Sequence, residues 1–380
     1  MATDNKDKVL NVPNLRFPEF TEEWTQCAIC DYGNIITGST PSTNDSSNYD
    51  NGTYLWASPT DLGELKYVEQ TQTKLTDKGF GKTRRFPANS IMVTCIGSTI
   101  GKMGMSKVEM STNQQINTIV PTGHDANFVF YTIQSRFPRY LSSIAVQAVP
   151  IISKSAFEKL ENYTTSIDEE VKIGTFLSLL DERIATQNKI IEKLESLIKG
   201  LYERLFSIES EKYLLLSNVV KIQKGQQVNG EELAEYGSYY VMNGGIAPSG
   251  YLGNYNTPAG TISISEGGNS CGYVQYNSSP FWSGGHCYTL IESKDIINYK
   301  FLYHYLKHKE QSIMAMRIGS GLPNIQKKDL ECFPILNICR EKQNKMVHML
   351  DDLSTKISTE RKILENYKEQ KKYLLSNLFI

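Results

Sequence analysis

Two groups of residues near the start of the sequence have types that occur in redox, metal or nuclease sites. Cys27 and Cys30 form one CxxC pair, which builds a metal site only when a second pair stands nearby. No second pair follows, so we interpret both as ordinary thiols. Asp61, Glu64 and Lys66 have the residue types of a metal-dependent nuclease, but they lie too close together to come from separate strands. Neither group predicts a catalytic or metal site.

Motifs that bind nucleotides or methyl-donor cofactors are also incomplete. Residues 81–83 read GKT, but Thr76 stands where a phosphate-binding loop needs its first glycine, and residues 97–103 are one residue short of the same loop. No Pro-Pro pair occurs, which excludes the Asp/Asn-Pro-Pro-aromatic motif of amino-methyltransferases, and no GxGxxG loop opens a helix. The sequence also lacks HExxH. It therefore predicts a protein without catalysis or cofactor of its own, which positions other molecules.

The elements that would do this positioning occur twice. Residues 149–206 align with residues 322–379 without a gap. Identical pairs in this alignment include Pro150/Pro323, Ile152/Ile325, Lys154/Lys327, Lys189/Lys362, Ile190/Ile363 and Phe206/Phe379. Because one register is kept over so long a stretch, we interpret the two segments as an internal repeat.

Both copies contain a heptad pattern. Residues that are apolar except for Gln187 alternate at spacings of four and three in the first copy, at Ile173, Leu177, Leu180, Ile184, Gln187, Ile191, Leu194, Ile198, Leu201 and Leu205. The second copy repeats the pattern in phase at Met346, Leu350, Leu353, Ile357, Glu360, Leu364, Tyr367, Lys371, Leu374 and Leu378. Each stretch predicts a helix of about 35 residues, or roughly 50 Å at 1.5 Å per residue. Two matched narrow seams favour helices that pack on each other over two separate amphipathic surface helices.

The segments before the helices are similar as well. Residues 88–101 align with residues 259–272, Thr118 with Thr289, and residues 128–134 with residues 301–307. Their Gly, Ser, Thr, Asn and Tyr content, with short β-branched runs between turn residues, is typical of mainly β domains with long loops. The predicted fold class is α+β, with the chain divided into a first β-rich region (1–150), a central helical segment (151–206), a second β-rich region (207–322) and a distal helical segment (323–380).

Composition limits the class of protein. A length of 380 residues suggests two or three domains, and a hydrophobic content of 40% is enough for packed cores. The polar start and the absence of an apolar run of roughly 18 residues lead us to expect a cytoplasmic protein without a membrane segment. Seven cysteines at irregular spacing fit reduced thiols.

The charge balance bears on partners. The chain has 40 basic and 41 acidic residues, which leaves it nearly neutral, whereas phosphate-binding proteins usually carry a basic surface. The first β-rich region is close to neutral too, and only residues 323–380 are mildly basic. A neutral protein can still bind DNA through local basic patches or together with basic partners, so we expect weak binding by the chain alone.

The order of several short motifs resembles one family. The motifs are LRFPEFTEEW (15–24), NIITGSTP (34–41), IMVTCIGSTIGKMG (91–104), TNQQINTIVP (112–121), VPIISKSAFEKL (149–160) and EEVKIGTFLSLLDERI (169–184). In this order, and with the duplication, the chain resembles the specificity subunit of type I restriction–modification systems over essentially its whole length. The second copy departs from the pattern, because Cys271-Gly272 ends its glycine-rich strand and SGGHCYTLI replaces TNQQINTIV.

The resemblance implies a specific architecture and set of partners. Each β-rich region would be a target recognition domain for one half of a bipartite site in double-stranded DNA. The long helices would form an antiparallel coiled coil, so that the repeat has pseudo-two-fold symmetry. Two methylation subunits, which bind S-adenosylmethionine, and two motor-nuclease restriction subunits, which bind ATP, would join the chain.

The resemblance also places candidate DNA contacts in the first β-rich region. Its densest basic cluster consists of Lys74, Lys78, Lys82, Arg84 and Arg85, which we interpret as phosphate contacts, with a solvated loop as the alternative. Ser98, Thr99, Gln114 and Gln115 are candidate groove contacts, and Gln115 could instead serve only as a structural amide.

In the second β-rich region, residues 243–256 form a loop of Gly, Asn and Tyr that is suited to close backbone approach. Asn243, Tyr251, Asn269 and His286 are its candidate DNA contacts. Gln187 and Glu360 are the polar breaks near the middle of the two heptad seams, and an antiparallel pair would bring them together and place Ile173 beside Leu378.

A different class of function remains an alternative. The neutral charge and the 22 tyrosines would also fit a carbohydrate- or receptor-binding repeat protein that uses aromatic loops. The duplicated long heptad helices, without the repeats of a trimeric fibre, favour the DNA-specificity interpretation.

Overall fold

The computed structural model describes residues 11–63, 65–143, 150–207, 212–319, 321 and 323–380. Glu64 and the predicted end of the second β-rich region at residue 322 lie outside this part of the chain. The protein divides into two compact units, Met1–Lys189 with Lys362–Ile380, and Ile190–Arg361. Each unit combines one β-rich region with part of each long helix. The segments inferred from the sequence are consecutive stretches of the chain, unlike these units, and their boundaries remain predictions.

The first unit is built mainly from short strands. They are β1 (Thr25–Ala28), β2 (Gly33–Thr37), β3 (Tyr54–Ala57), β4 (Tyr67–Val68), β5 (Thr73–Leu75), β6 (Arg85–Phe86), β7 (Ile91–Thr94), β8 (Met103–Ser106), β9 (Met110–Thr112), β10 (Ile116–Pro121) and β11 (Glu161–Thr164). The helices that begin here are α1 (Asp77–Gly81), α2 (Ala126–Ser143), α3 (Lys154–Glu158) and the long α4 (Ile167–Phe206). Short 3-10 turns cover Ile29–Tyr32, Ser46–Asn48 and Pro59–Asp61.

The remaining elements follow in chain order. The strands are β12 (Tyr213–Leu215), β13 (Lys221–Lys224), β14 (Tyr239–Met242), β15 (Tyr251–Leu252), β16 (Thr261–Ser265), β17 (Val274–Asn277), β18 (Trp282–Ser283), β19 (Cys287–Ile291) and β20 (Pro334–Leu336). The helices are α5 (Leu216–Val219), α6 (Tyr299–His308), α7 (Glu310–Met314), α8 (Lys327–Glu331) and the long α9 (Arg340–Asn377), with one 3-10 turn at Gly230–Glu232.

The central sheets of the two units have the same strand order over four strands, and the sheet of the first unit has β4 as a fifth strand. In the first unit it is β2-β10-β7-β8-β4, and in the second it is β13-β19-β16-β17. Thr118 pairs with both Ile36 and Met92 in the first sheet. Thr289, its partner in the sequence alignment, pairs with Gln223 and Ser263 in the second. The two sheets therefore have equivalent strand pairing, as the internal repeat predicts.

One pair of aligned segments forms helices that the β-rich composition did not indicate. Residues 128–134 lie in α2 and residues 301–307 lie in α6. Their large apolar side chains are buried against the sheets, with Phe128 and Phe301 both fully enclosed. Asn298 caps α6, because its side chain accepts hydrogen bonds from the backbone N–H groups of Lys300 and Phe301. Burial of one aromatic face explains why these segments are helical despite their composition.

The two long helices are slightly longer than the heptad pattern predicts. Helix α4 has 40 residues and α9 has 38. The additional turn at the start of α4 contains Asp168, Glu169 and Glu170, whose negative charges favour a helix N-terminus. Every seam position in both helices is buried or half-buried. The predicted seam is therefore the packed face of each helix.

The contacts within each unit show that the helices are antiparallel. In the first unit, Ile173 near the start of α4 shares a core cluster with Leu378 just after the end of α9, and Lys371 Nζ lies 2.7 Å from Asp181 Oδ1. In the second unit, Phe206 at the end of α4 shares a core cluster with Met346 near the start of α9. The predicted direction is confirmed. Gln187 is buried, and its pairing with Glu360 stays a prediction.

Candidate nucleic-acid interface

A glycine loop follows the central strand β7 of the first β-rich region. Cys95 N–H donates to the carbonyl of Gln115 at 2.8 Å, and the Cys95 carbonyl accepts from Ile152 N–H at 2.8 Å. Gly97 N–H then donates to the carbonyl of Pro150 at 3.1 Å. Gly97 has a φ of 96°, which favours glycine at this turn. The loop is thus held by the backbone on two sides, and its outer residues face solvent.

The second β-rich region builds the same loop with other residues. Glu266 N–H donates to the carbonyl of His286 at 2.9 Å, and the Glu266 carbonyl accepts from Ile325 N–H at 2.9 Å. Gly268 N–H donates to the carbonyl of Pro323 at 3.0 Å, and Gly268 has a φ of 79°. Every bond has its counterpart in the first copy. The residue pairs Pro150/Pro323 and Ile152/Ile325, identical in the sequence repeat, are the ones that anchor the loops.

The candidate groove contacts of the first region lie on this loop and beside it. Ser98 is exposed and Thr99 is half-buried, both within the loop. Gln115 lies against the loop, with its Nε2 3.7 Å from the position that a Cβ on Gly97 would occupy. Its Oε1 also accepts from Asn113 Nδ2 at 3.0 Å, so the amide has a structural contact as well. Gln114 is exposed and accepts from the hydroxyl of Thr40.

The residues of the basic cluster of the first region contact different parts of it. Lys78 and Lys82 converge on Asp45, at 3.0 Å and 3.4 Å from its Oδ2. The Ser47 hydroxyl, together with the Lys78 ammonium, holds the pKa of Asp45 well below its usual range. Asp45 therefore offsets part of this positive charge.

Arg84 and Arg85 differ from the two lysines. Arg84 donates through Nη1 to the carbonyl of Thr37 at 2.8 Å, at the end of β2 and near the glutamines. Arg85 lies 3.9 Å from Glu109 and over the ring of Phe80. Lys74 is placed in β5 opposite Leu55, on the smaller sheet. Arg84 therefore contacts the central sheet of the first region, to which β2 belongs.

In the second region, three of the four candidates gather around the glycine loop. Asn269 is exposed at the position equivalent to Ser98. The Asn243 side chain accepts from His286 N–H at 3.0 Å. His286 packs against Gly244, whose added Cβ would lie 3.2 Å from the His286 Cβ. Tyr251 lies in β15 instead, paired with Tyr240 on a separate small sheet.

Sequence reasoning missed two residues of the second site, Lys224 and Glu266. Lys224 Nζ lies 2.5 Å from Glu266 Oε1, although the two residues are 42 positions apart. The internal alignment could have indicated Glu266. It is the lone charged residue at the end of a Ser- and Ile-rich strand, and it aligns with Cys95 of the first copy.

The residues that resembled catalytic groups have structural roles. Asp61 caps a 3-10 turn by accepting from Ser58 N–H at 2.8 Å. Lys66 is buried, donates to the Asn127 side chain at 2.6 Å, and has its pKa lowered to about 8 by that burial. Burial raises the pKa of the Cys27 thiol to about 11, which reduces its reactivity. Across the described residues, no three His, Cys, Asp or Glu side chains are grouped to hold a metal ion.

Comparisons with known proteins identify the family. A family model described as the type I restriction modification DNA specificity domain matches residues 21–196 and again residues 212–368. The chain belongs to this family. The two matches correspond to the two copies of the repeat, so the chain contains two DNA specificity domains.

The names of individual similar proteins agree with this family assignment. A protein named as a type I specificity subunit from Mycoplasma pneumoniae is 34% identical over 161 residues, which covers 40% of this chain and 43% of that protein. That alignment spans less than half of the relative. The MjaIX specificity subunit of Methanocaldococcus jannaschii is 26% identical over 313 residues, covering 79% of this chain and 67% of that protein.

The solved structure of a type I restriction–modification S subunit from M. genitalium has the same fold. It matches with a TM-score of 0.72 and 21% identity, and the match covers 97% of this chain and 99% of the other. Among the helices of the described chain, none has the length and apolar character required to cross a membrane.

The basic cluster provides the first testable prediction. Replacing Lys82, Arg84 and Arg85 together by alanine should weaken DNA binding by the assembled complex for any sequence. Each phosphate contact contributes about 0.9 to the slope of log K against log salt, so the slope should fall by roughly 2 to 3. Binding titrations between 50 and 200 mM salt would measure the change.

As a matched control, replacing the exposed Lys342, Lys345 and Lys356 of α9 by alanine should leave the salt slope unchanged. An unchanged slope in the first variant would assign the cluster to a solvated loop.

Proposed function

We propose that the chain is the DNA-specificity subunit of a type I restriction–modification complex and reads one half of a bipartite target with each β-rich region. The observation that carries the proposal is the repeated glycine loop. Its backbone hydrogen bonds are the same in both regions, whereas the side chains on and beside the loop differ, with Ser98 and Gln115 in one copy and Asn269 and His286 in the other. Because the backbone arrangement is the same and the side chains differ, the two regions are suited to bind different DNA sequences.

The chemistry of these side chains fits direct reading of bases. Amide, hydroxyl and imidazole groups donate to and accept from base edges in the major groove, where each base pair shows a distinct pattern. Cations such as Arg84 would contact phosphates, which fix the orientation of the protein without carrying sequence information. The small number of such cations agrees with weak binding by the chain alone.

We further propose that partners supply the catalysis. Two methylation subunits would bind S-adenosylmethionine, and two motor-nuclease subunits would bind ATP and cleave DNA in the cytoplasm. The supporting features are the family membership and the internal repeat, since two equivalent helical segments offer two equivalent docking faces. The methyltransferase and nucleotide-binding motifs missing from the sequence would belong to these partners.

Methyl transfer tests the proposal directly. We expect the purified chain to transfer no methyl group from labelled S-adenosylmethionine to DNA, and a methylation subunit encoded beside it to do so only when the chain is added. Because the two proteins would act as one complex, they should also copurify. Transfer by the chain alone, or sequence-specific transfer by the partner without the chain, would contradict the proposal.

A further inference from the structure

The two glycine loops differ in the chemistry of three equivalent positions beside them. The first copy places Thr37, Cys95 and Gln115 at these positions, and none of them carries a charge near neutral pH. The second copy places Lys224, Glu266 and His286 there. Since the backbone hydrogen bonds are the same, the substitution changes only the chemistry of the site.

Glu266 is a buried carboxylate with an incomplete set of partners. The residue is 8% exposed. Its Oε1 accepts from Lys224 Nζ at 2.5 Å and from the Tyr288 hydroxyl at 3.2 Å. Its Oε2 accepts no hydrogen bond within the described chain, and His286 Nδ1 lies 3.4 Å from it. A buried acceptor without a donor is costly, and an N–H at Nδ1 of His286 would be the nearest donor to this oxygen.

His286 extends from this carboxylate toward solvent. Its side chain is 59% exposed, and glycines 244 and 267 leave the space beside it open. The backbone N–H of His286 donates to the Asn243 side chain, which fixes the start of the side chain. With Nδ1 facing Glu266, Nε2 is the ring nitrogen left for a ligand.

We propose that His286 is a specificity-determining residue of the second region, and that in its protonated form it donates a hydrogen bond from Nε2 to an acceptor atom of the DNA. Glu266 is then a positioning residue, which holds the ring through Nδ1. The acceptor is a guanine N7 or O6 atom or a phosphate oxygen, because a protonated imidazole has only donors.

The charges around His286 make this interaction dependent on pH. The positive charge of Lys224 offsets the negative charge of Glu266. The other titratable groups near Glu266 are uncharged at neutral pH, namely Tyr288, Cys271 and Cys287, and Arg317 lies near Cys271. The site therefore gains one net positive charge when His286 is protonated. Histidine changes charge between about pH 5 and 8. Recognition of the second half-site should weaken as the pH rises, while recognition by Gln115 in the first region should not.

The inference rests on the proposed function, and one experiment separates the two. Equilibrium binding of the assembled complex to its bipartite site is measured at pH 6 and pH 8 and constant ionic strength, for the wild type and for His286→Gln. The substitution gives the second region the residue that the first region already has. We expect the wild type to bind about tenfold more weakly at pH 8, the size of one charge-assisted hydrogen bond, and the variant to show little change.

Control variants and a sequence readout complete the test. His348→Gln, on the exposed face of α9, should keep the wild-type pH dependence, and Glu266→Leu should lose it while the protein stays folded by circular dichroism. A relaxed base preference in His286→Gln indicates a guanine acceptor, and a salt slope reduced by about 1 indicates a phosphate. The same pH dependence in His286→Gln as in the wild type would overturn the inference. No specific binding by the wild-type complex would instead overturn the proposed function.

Discussion

Replacing Glu169 by alanine is expected to lower the free energy of unfolding of the first unit by about 3–5 kcal/mol. The Glu169 carboxylate is fully buried and accepts from Arg16 Nε and Nη2, both at 2.7 Å. It also accepts from Trp24 Nε1 and from the hydroxyl of Thr165. Because Arg16 is itself largely buried, removal of the carboxylate would leave a guanidinium without its counter-charge. Chemical denaturation followed by tryptophan fluorescence would measure the loss.

Two further variants separate the buried pair from a general effect of charge. Glu169→Gln keeps a side-chain oxygen that can accept from Trp24 Nε1, so it should lower the free energy of unfolding less than Glu169→Ala does. Glu341→Ala breaks an ion pair with Lys345 in which both side chains are at least three-quarters exposed, and should have little effect on stability. Equal losses for Glu169→Ala and Glu341→Ala would show that the N-terminal segment is not held by this carboxylate.

Exchanging residues 29–150 for the equivalent region of another family member should change one half of the recognised sequence completely and leave the other half unchanged. This exchange keeps Arg16 and Trp24, which anchor the N-terminal segment to α4 and to Phe379. Some bonds across the cut join backbone atoms, such as Ile152 N–H to the Cys95 carbonyl, and do not depend on the side chains exchanged. Others involve side chains, such as the Tyr131 hydroxyl to Asp181, so the exchanged region should come from a relative that keeps these residues.

The matched control is an exchange within the second region, between residues 216 and 322. That hybrid should change only the other half of the target. Sequencing of methylated sites in cells that express each hybrid with the methylation subunit would read both halves at once. A hybrid that alters both halves would show that the two regions do not read DNA separately.

The helical part of the fold could be predicted because its signal is local and repeated. The spacing of residues such as Ile173 and Leu177 defines a seam whatever the rest of the chain does. Helices α2 and α6 were missed for the opposite reason. Their aromatic residues also suit strands, and only the burial of one face, as at Phe128 and Phe301, decides between the two structures.

The candidate site shows the same division between local and long-range information. Glycine loops and exposed amides could be selected from sequence because turn residues have local preferences. The partners of charged groups could not. Asp45 meets Lys78 across 33 positions, and Glu266 meets Lys224 across 42, so these charges are assigned only once the strands are paired. For this reason the sequence overstated the free positive charge near Lys78 and did not indicate Glu266.

A chain with two DNA specificity domains should read two separate DNA sequences. The most direct measurement is the set of methylated sites in the genome of cells that express the chain with its methylation subunit. We predict a motif of two short defined blocks separated by an unread gap of constant length, present only when the chain is expressed. One uninterrupted motif, or the same methylation without the chain, would show that the chain does not read two half-sites.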